Sequence, residues 1–235
     1  MKLEKLEERL GYRFKDIQLL KTALTHPSFR NEHPETGADN QRMEFLGDAV
    51  IEIVVCHAVY LRFTDWDEGG MTLLKSRMVR TDNLANWALE LGLPDWLIMG
   101  RGEAGSGGAF RHGNLADVFE AVIGAIFLDG GMNAVVSILS PRLEAFMKDI
   151  VTIEDMKDPK TLLQEKLLAV VKKTPDYREI QATASNQHQV EVLLCSNRLA
   201  IGFGRNRRQA ERDAAKKALQ AIDNYTRKQL TDMCK

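Results

Sequence analysis

Over roughly the first 150 residues, apolar positions recur every three to four places, the spacing of α-helices with one face turned inward. The pattern predicts helices over about 3–10, 16–24, 41–62, 70–91, 94–99, 114–128 and 132–149. Alternation with a period of two, the mark of a half-buried strand, is nearly absent there, so an all-α bundle is expected. Beyond residue 157 the pattern changes. Asp158-Pro159 supplies an N-cap followed by proline at the first helical position, opening a helix from Lys160 to about Lys172. Three strand-like runs follow, Tyr177 to Thr183, Gln189 to Cys195 and Leu199 to Phe203, with Ser196-Asn197-Arg198 as a short polar turn. A final helix from about Arg207 to Ile222 sets Ala210, Ala214, Ala218 and Ile222 on one stripe. The chain therefore reads as α+β: an all-α domain over 1–150, a linker over 151–157, a small α-β-β-β-α domain over 158–225 and a tail over 226–235.

Within the helical half, Glu44 and Asp48 lie four residues apart and hence on one helix face. Around them stand Phe45, Leu46, Ala49, Val50, Ile53 and Val54, residue types that normally go inside. An ionised carboxylate in such surroundings is unfavourable unless it is paired or bound to a cation. Taken alone, the pair also fits a half-solvated helix start, where acidic groups favour the dipole or meet Arg42. A second apolar segment, Asn114 to Phe127, repeats the feature: Asp117 and Glu120 are spaced i, i+3, with Ala121 and Gly124 continuing that face at little bulk. Asn114 as an N-cap would give Asp117 a capping role, but Glu120 lies a turn further into the apolar run. If the two helices pack, four carboxylates converge. Oxygen donors without thiolate or imidazole favour a hard cation, Mg²⁺ with Mn²⁺ as a substitute. The Glu-x-x-His motif of a di-iron carboxylate bundle is absent from the chain.

Composition adds a division of charge. Of the 235 residues, 44% are hydrophobic and 28% charged, an ordinary balance for a folded soluble chain. The net charge of −1 conceals 16 Lys+Arg against 24 Asp+Glu in residues 1–156, and 16 against 9 in residues 157–235. A basic C-terminal half points to a polyanionic partner. Its focus is Gly204-Arg205-Asn206-Arg207-Arg208-Gln209-Ala210-Glu211, where cations gather at a helix start and amides and guanidiniums together suit phosphate. A solvated basic face is the plainer alternative. Cys56, Cys195 and Cys234 are odd in number and far apart, suggesting neither a disulfide framework nor a zinc site, as in a reducing cytoplasm. The charged N-terminus lacks a signal-peptide core, and no uninterrupted run of about 18 apolar residues suggests a membrane span. Gly100-Arg101-Gly102-Glu103-Ala104-Gly105 matches G-x-G-x-x-G, but no strand or βαβ unit surrounds it, so it reads as a flexible connection and no nucleotide cofactor is expected. His26, His33, His57 and His112 show no metal-ligand spacing, and the tryptophans read as packing residues.

The stretch from Gln41 to Ile51 resembles the signature of the ribonuclease III family, which runs roughly E-R-L-E-F-L-G-D-A-V-L. Four further stretches are similar to that family in the same order: Leu24-Thr25-His26-Pro27-Ser28, Asp67-Glu68-Gly69, Gly105-Ser106-Gly107-Gly108 and Leu128-Asp129-Gly130-Gly131. One departure is Gln41, where the family carries Glu; an amide offers hydrogen bonds but no negative charge, so Gln41 is left out of the catalytic set. The segment around Arg207 and Arg208 resembles the K-K-x-A motif of the double-stranded RNA-binding domain, whose contacts are to shape, 2′-hydroxyls and phosphates. Its G-P-x-H loop is not recognisable in residues 181–187, and His188 is not assigned a contact.

The resemblance implies an endoribonuclease acting on double-stranded RNA, leaving 5′-phosphate and 3′-hydroxyl ends and working in RNA processing such as rRNA precursor maturation. It implies Asp48 and Glu120 as catalytic residues, Glu44, Asp48, Asp117 and Glu120 as metal ligands, and Glu68 as an accessory. Gln164, Glu165, Arg205, Arg207 and Arg208 would meet RNA. A homodimer in the cytoplasm is expected, with Phe45 as a contact or, on its sequence alone, a core residue. The alternative is a double-stranded RNA-binding protein with a weakened or inactive nuclease domain.

Overall fold

The computed structural model describes residues 3–148, 150, 152, 157–180 and 187–234, so most of the expected linker and of the 181–188 loop lies outside the described residues. The chain divides into two units, Met1–Val151 and Thr152–Lys235. In the first, the described elements are helical: α1 (Glu4–Leu10), α2 (Ile17–Ala23), α3 (Pro27–Glu32), α4 (Gln41–Arg62), α5 (Glu68–Met78), α6 (Thr81–Glu90), α7 (Arg101–Gly105) and α8 (His112–Met147). Local chemistry sets several boundaries. Asp16 caps α2 through the Gln18 amide at 2.9 Å, and Asp67 caps α5 through that of Gly70 at 2.8 Å. Gly11 closes α1 at φ 66°, a backbone region that glycine enters without penalty.

The expected helix over 70–91 is two helices. The Asn83 side chain donates to the Met78 carbonyl at 2.6 Å, satisfying the end of α5 while Arg80 turns extended and α6 begins. Residues expected to be helical over 94–99 form only a 3₁₀ turn, Leu93–Trp96, before Ile98 bridges to Thr25. The glycine-bearing connection is also more ordered than expected. Gly100 donates to the Ser28 hydroxyl at 3.0 Å and Arg101 to the Glu32 carboxylate at 3.0 Å, which fastens α7 to α3.

α8 forms the spine of this unit, packed against α4, α6 and α2. Its 36 residues are broken by Gly131 at φ 74°, matching the two successive helices read from the sequence. Asp129, just before the break, accepts hydrogen bonds from the Tyr12 hydroxyl at 2.7 Å and from the Lys15 and Asp16 amides, each at 2.9 Å. Length and composition alone would let α8 cross a membrane. Here its apolar residues, among them Leu115, Phe119, Ile123 and Ile126, are buried in the core of the unit.

α4 and α8 approach so closely that their backbones nearly touch. A Cβ on Gly47 would lie 1.8 Å from the Glu120 carbonyl oxygen, and one on Gly124 would lie 2.3 Å from the Met43 carbonyl oxygen. Only hydrogen fits at either point.

In the second unit α9 (Pro159–Val171) precedes an antiparallel sheet of order β1-β2-β3, with β1 (Asp176–Ile180), β2 (His188–Leu194) and β3 (Asn197–Gly204), and then α10 (Arg207–Ile222). Leu163, Leu167, Val192, Leu194, Ala214 and Ala218 form its core. Gly202 and Gly204 let α10 rest directly on β3, since a Cβ on either would meet the helix within 2.4 Å. Three expectations are corrected. Residues after 225 are not simply a tail: Thr226 and Gln229 form a capping box that starts α11 (Arg227–Asp232), and Leu230 enters the core. Cys195 and Cys234, expected to be unpaired, are joined in a disulfide with Cα atoms 5.0 Å apart. Their separation of 39 residues hid a proximity that arises when α11 folds back against α9. The β2–β3 turn also falls at Cys195-Ser196, both with positive φ, rather than at Ser196-Asn197-Arg198.

Replacing Gly47 with Ala is expected to destabilise the first unit by about 2–3 kcal/mol, since the added methyl forces α4 and α8 apart. Thermal unfolding of the variant checks this; an unchanged melting temperature would show that the seam has slack.

Candidate active site

The glycine-lined seam brings three of the four expected carboxylates together. Glu44, in the first turn of α4, and Asp117 and Glu120, on α8, present carboxylate oxygens that all lie within 4.8 Å of one another. All three residues are half-buried. Asp48, one turn beyond Glu44, is exposed and stands outside this close group, although its charge acts on both Glu44 and Glu120. The capping role considered for Asn114 is not adopted. α8 begins two residues earlier, and the Asn114 side chain donates to the Glu103 carboxylate at 2.9 Å and the Gly108 carbonyl at 3.0 Å.

The electrostatics follow from burial plus like charge. Desolvation, then the charges of Asp48, Asp117 and Glu44, push the Glu120 pKa up to about 8. Burial also raises Glu44, reinforced by Asp117, Asp48 and Asp39. Asp117 is raised by burial, with His26 pulling in the opposite direction. A cluster of oxygen donors that resists full ionisation by itself has the donor chemistry of a divalent hard-cation site.

Two neighbours were not singled out from the sequence. Asp39 is buried, pairs with Arg30 at 3.0 Å and accepts from the Gln41 amide at 3.2 Å. His26 caps α3 through the Ser28 amide at 3.1 Å and bonds the Ser28 hydroxyl at 2.8 Å. Pro27 at the first helical position was a legible sign of that helix start, whereas the charge of His26 acting on Asp117 depends on tertiary folding. Gln41 is exposed on a hollow beside Arg30 and Arg42. Glu68 lies in the first turn of α5 and lines a different hollow, with Cys56, Tyr60 and Lys75. Phe45 is 81% exposed, which excludes its core reading.

In the second unit Arg205, Arg207 and Arg208 are exposed around the start of α10, whose cap Asn206 accepts from the Gln209 amide at 2.9 Å. Gln164 and Glu165 are exposed on α9, with Glu165 paired to Lys157.

A family profile described as Ribonuclease-III-like matches residues 16–150, which include the entire carboxylate cluster, and one for the double-stranded RNA binding motif matches 159–222. This chain belongs to the ribonuclease III family. Ribonuclease 3 of Roseiflexus sp. strain RS-1 is 40% identical over 230 residues, covering 95% of this chain and 97% of that protein. Ribonuclease 3 of Nitrosococcus oceani is 42% identical over 226 residues, covering 92% and 93%. Among solved structures, the nuclease domain of ribonuclease III from Campylobacter jejuni matches with 38% identity and a TM-score of 0.56, covering 63% of this chain and 98% of that one.

The raised pKa of Glu120 sets a direction for stability. The folded state holds this proton more tightly than the unfolded chain, so between the ordinary value of 4.5 and about 8 stability falls as pH rises. In chelator, Glu120→Gln is expected to flatten that fall and to raise the melting temperature at pH 8 more than at pH 5. Parallel pH profiles for parent and variant would contradict the electrostatic account.

Proposed function

We propose that the chain hydrolyses phosphodiester bonds of double-stranded RNA at the Glu44, Asp117 and Glu120 cluster, leaving 5′-phosphate and 3′-hydroxyl ends. Endoribonuclease activity follows from membership of the ribonuclease III family; the assignment of roles rests on the convergence of three carboxylates within 4.8 Å. Glu44, Asp117 and Glu120 would hold a divalent cation, Mg²⁺ in this reading with Mn²⁺ as a substitute, and Asp48 would complete the set. When bound, the cation supplies Lewis acidity, acidifying water and offsetting charge at the departing 3′ oxygen. Glu120, the carboxylate hardest to ionise on its own, gains most from neutralisation. Asp48, open to solvent at the edge of the cluster, orients the attacking water. Arg205, Arg207 and Arg208 bind the phosphates of the duplex, and Gln164 and Glu165 meet its minor groove.

A homodimer is part of this reading. The nuclease domain from Campylobacter jejuni is described with a region involved in dimer formation. On α4 of this chain Phe45, Ile53 and Tyr60 are 81%, 58% and 67% exposed, an apolar row suited to a second copy. Glu68 borders that row beside Tyr60, so its accessory part would be exercised near the subunit boundary. Processing of structured RNA such as rRNA precursors, in the cytoplasm, is the corresponding cellular role. Retention of Glu44, Asp48, Asp117 and Glu120 favours an active enzyme over a binding protein with a decayed site.

Labelled duplex RNA is expected to be cut by the parent protein with Mg²⁺ and left whole in chelator. Glu120→Gln should slow cutting by about a thousandfold. Uncut RNA with the parent protein would refute the enzyme, and equal cutting by the variant would refute the site. Phe45→Asp is expected to shift light-scattering mass from a dimer towards the 26.5 kDa chain; a parent protein that is already monomeric would refute the dimer.

A further inference from the structure

The start of α10 carries one acidic residue among its cations, and its surroundings are built. Glu211 is 13% exposed and accepts on both oxygens: from Lys160 Nζ, on α9, at 2.5 Å, and from Arg207 Nε at 2.9 Å. Lys160 sits in turn 4.6 Å from the centre of the Tyr177 ring, on β1. The two cations hold the Glu211 carboxyl below its ordinary range, Lys160 contributing most. Cations from α9 and α10 thus meet at one carboxylate, with β1 backing Lys160. Glu211 engages only the Nε edge of Arg207, whose two terminal nitrogens have no protein partner among the described residues and whose side chain is 60% exposed.

We propose that Glu211 is a positioning residue for RNA binding, aiming Arg207 and Lys160 together at the phosphate backbone of the duplex. This rests on the reading of the second unit as the RNA-binding unit. A long arginine on a helix surface has many rotamers, and restricting it before contact lowers the entropy lost on binding. With Nε held, the terminal edge of the guanidinium presents two parallel donors suited to phosphate. Lys160, held between the carboxylate and the Tyr177 ring, adds a second cation from the neighbouring helix. A carboxylate here opposes the approach of a polyanion at long range, so its benefit must come from the geometry it imposes.

That opposition gives the test its sign. Glu211→Gln removes a negative charge, and on charge alone duplex RNA should bind more tightly. Positioning predicts the reverse: about fivefold weaker binding of a labelled RNA duplex by the full chain in chelator, and with Mg²⁺ a KM that rises more than kcat falls. In an Arg207→Ala background the same substitution should weaken binding less than it does in the parent, because only Lys160 is left to be aimed. Tighter or unchanged binding by the single variant would overturn the proposal. So would an equal loss in both backgrounds, the result expected of damaged folding. Arg207→Ala with Arg208→Ala separates the two levels of the argument. It should weaken binding and flatten its salt dependence, and if neither changes, the RNA-binding reading itself fails.

Discussion

The near-contact of α4 and α8 is the constraint on which the first unit depends. Gly47 faces the carbonyl of Glu120, and Gly124 faces that of Met43. No other residue allows such an approach, because any Cβ would overlap a backbone oxygen. The seam then acts on its own flanks. Glu44 on one helix and Asp117 and Glu120 on the other are drawn to within 4.8 Å, closer than three carboxylates would settle unaided. Burial of apolar residues along both helices, among them Val50, Ile51, Val54 and Val55 on α4 and Leu115, Phe119, Val122 and Ile126 on α8, holds the repelling charges in place. The site is thus destabilising by itself, and a cation of the right charge relieves the cost.

Around this seam the irregular segments become structural. α3 holds the start of α7 through Ser28 and Glu32, and Glu103, just beyond, takes the Arg111 guanidinium at 2.8 Å and the Asn114 amide at 2.9 Å. These bonds secure the beginning of α8 one turn before Asp117. At its other end, Asp129 ties the kink to the loop between α1 and α2. The carboxylates of α8 therefore lie between two anchored points, which limits their drift.

The second unit answers a different need with the same device. Gly202 and Gly204 bring α10 onto β3, as Gly47 and Gly124 bring α8 onto α4. There the result is a rigid mount for cations. α11 and the Cys195–Cys234 bond close the unit on its other side, with Leu230 filling the core beside α9. A cross-link spanning 39 residues reduces the freedom of the unfolded chain more than that of the folded one.

Much of this was legible in the sequence because it is local. Helical period, the Asp158-Pro159 start, the division of charge and the spacing of Glu44 with Asp48 and of Asp117 with Glu120 all follow from residues within a turn or two of one another. So did the small residues that made close packing of those helices plausible. What the sequence did not carry were relations between distant residues. α11 folding back to pair Cys195 with Cys234, the charge of His26 acting on Asp117 and Glu211 joining Lys160 to Arg207 each require elements remote in the chain to meet, while Phe45 stays in solvent because none covers it. Periodicity states which face of a helix is apolar, not which helix covers it or whether any does. The composition of the site was therefore determined along the chain, while its closeness, its charge coupling and the separation of Asp48 and Glu68 from its centre were decided by packing.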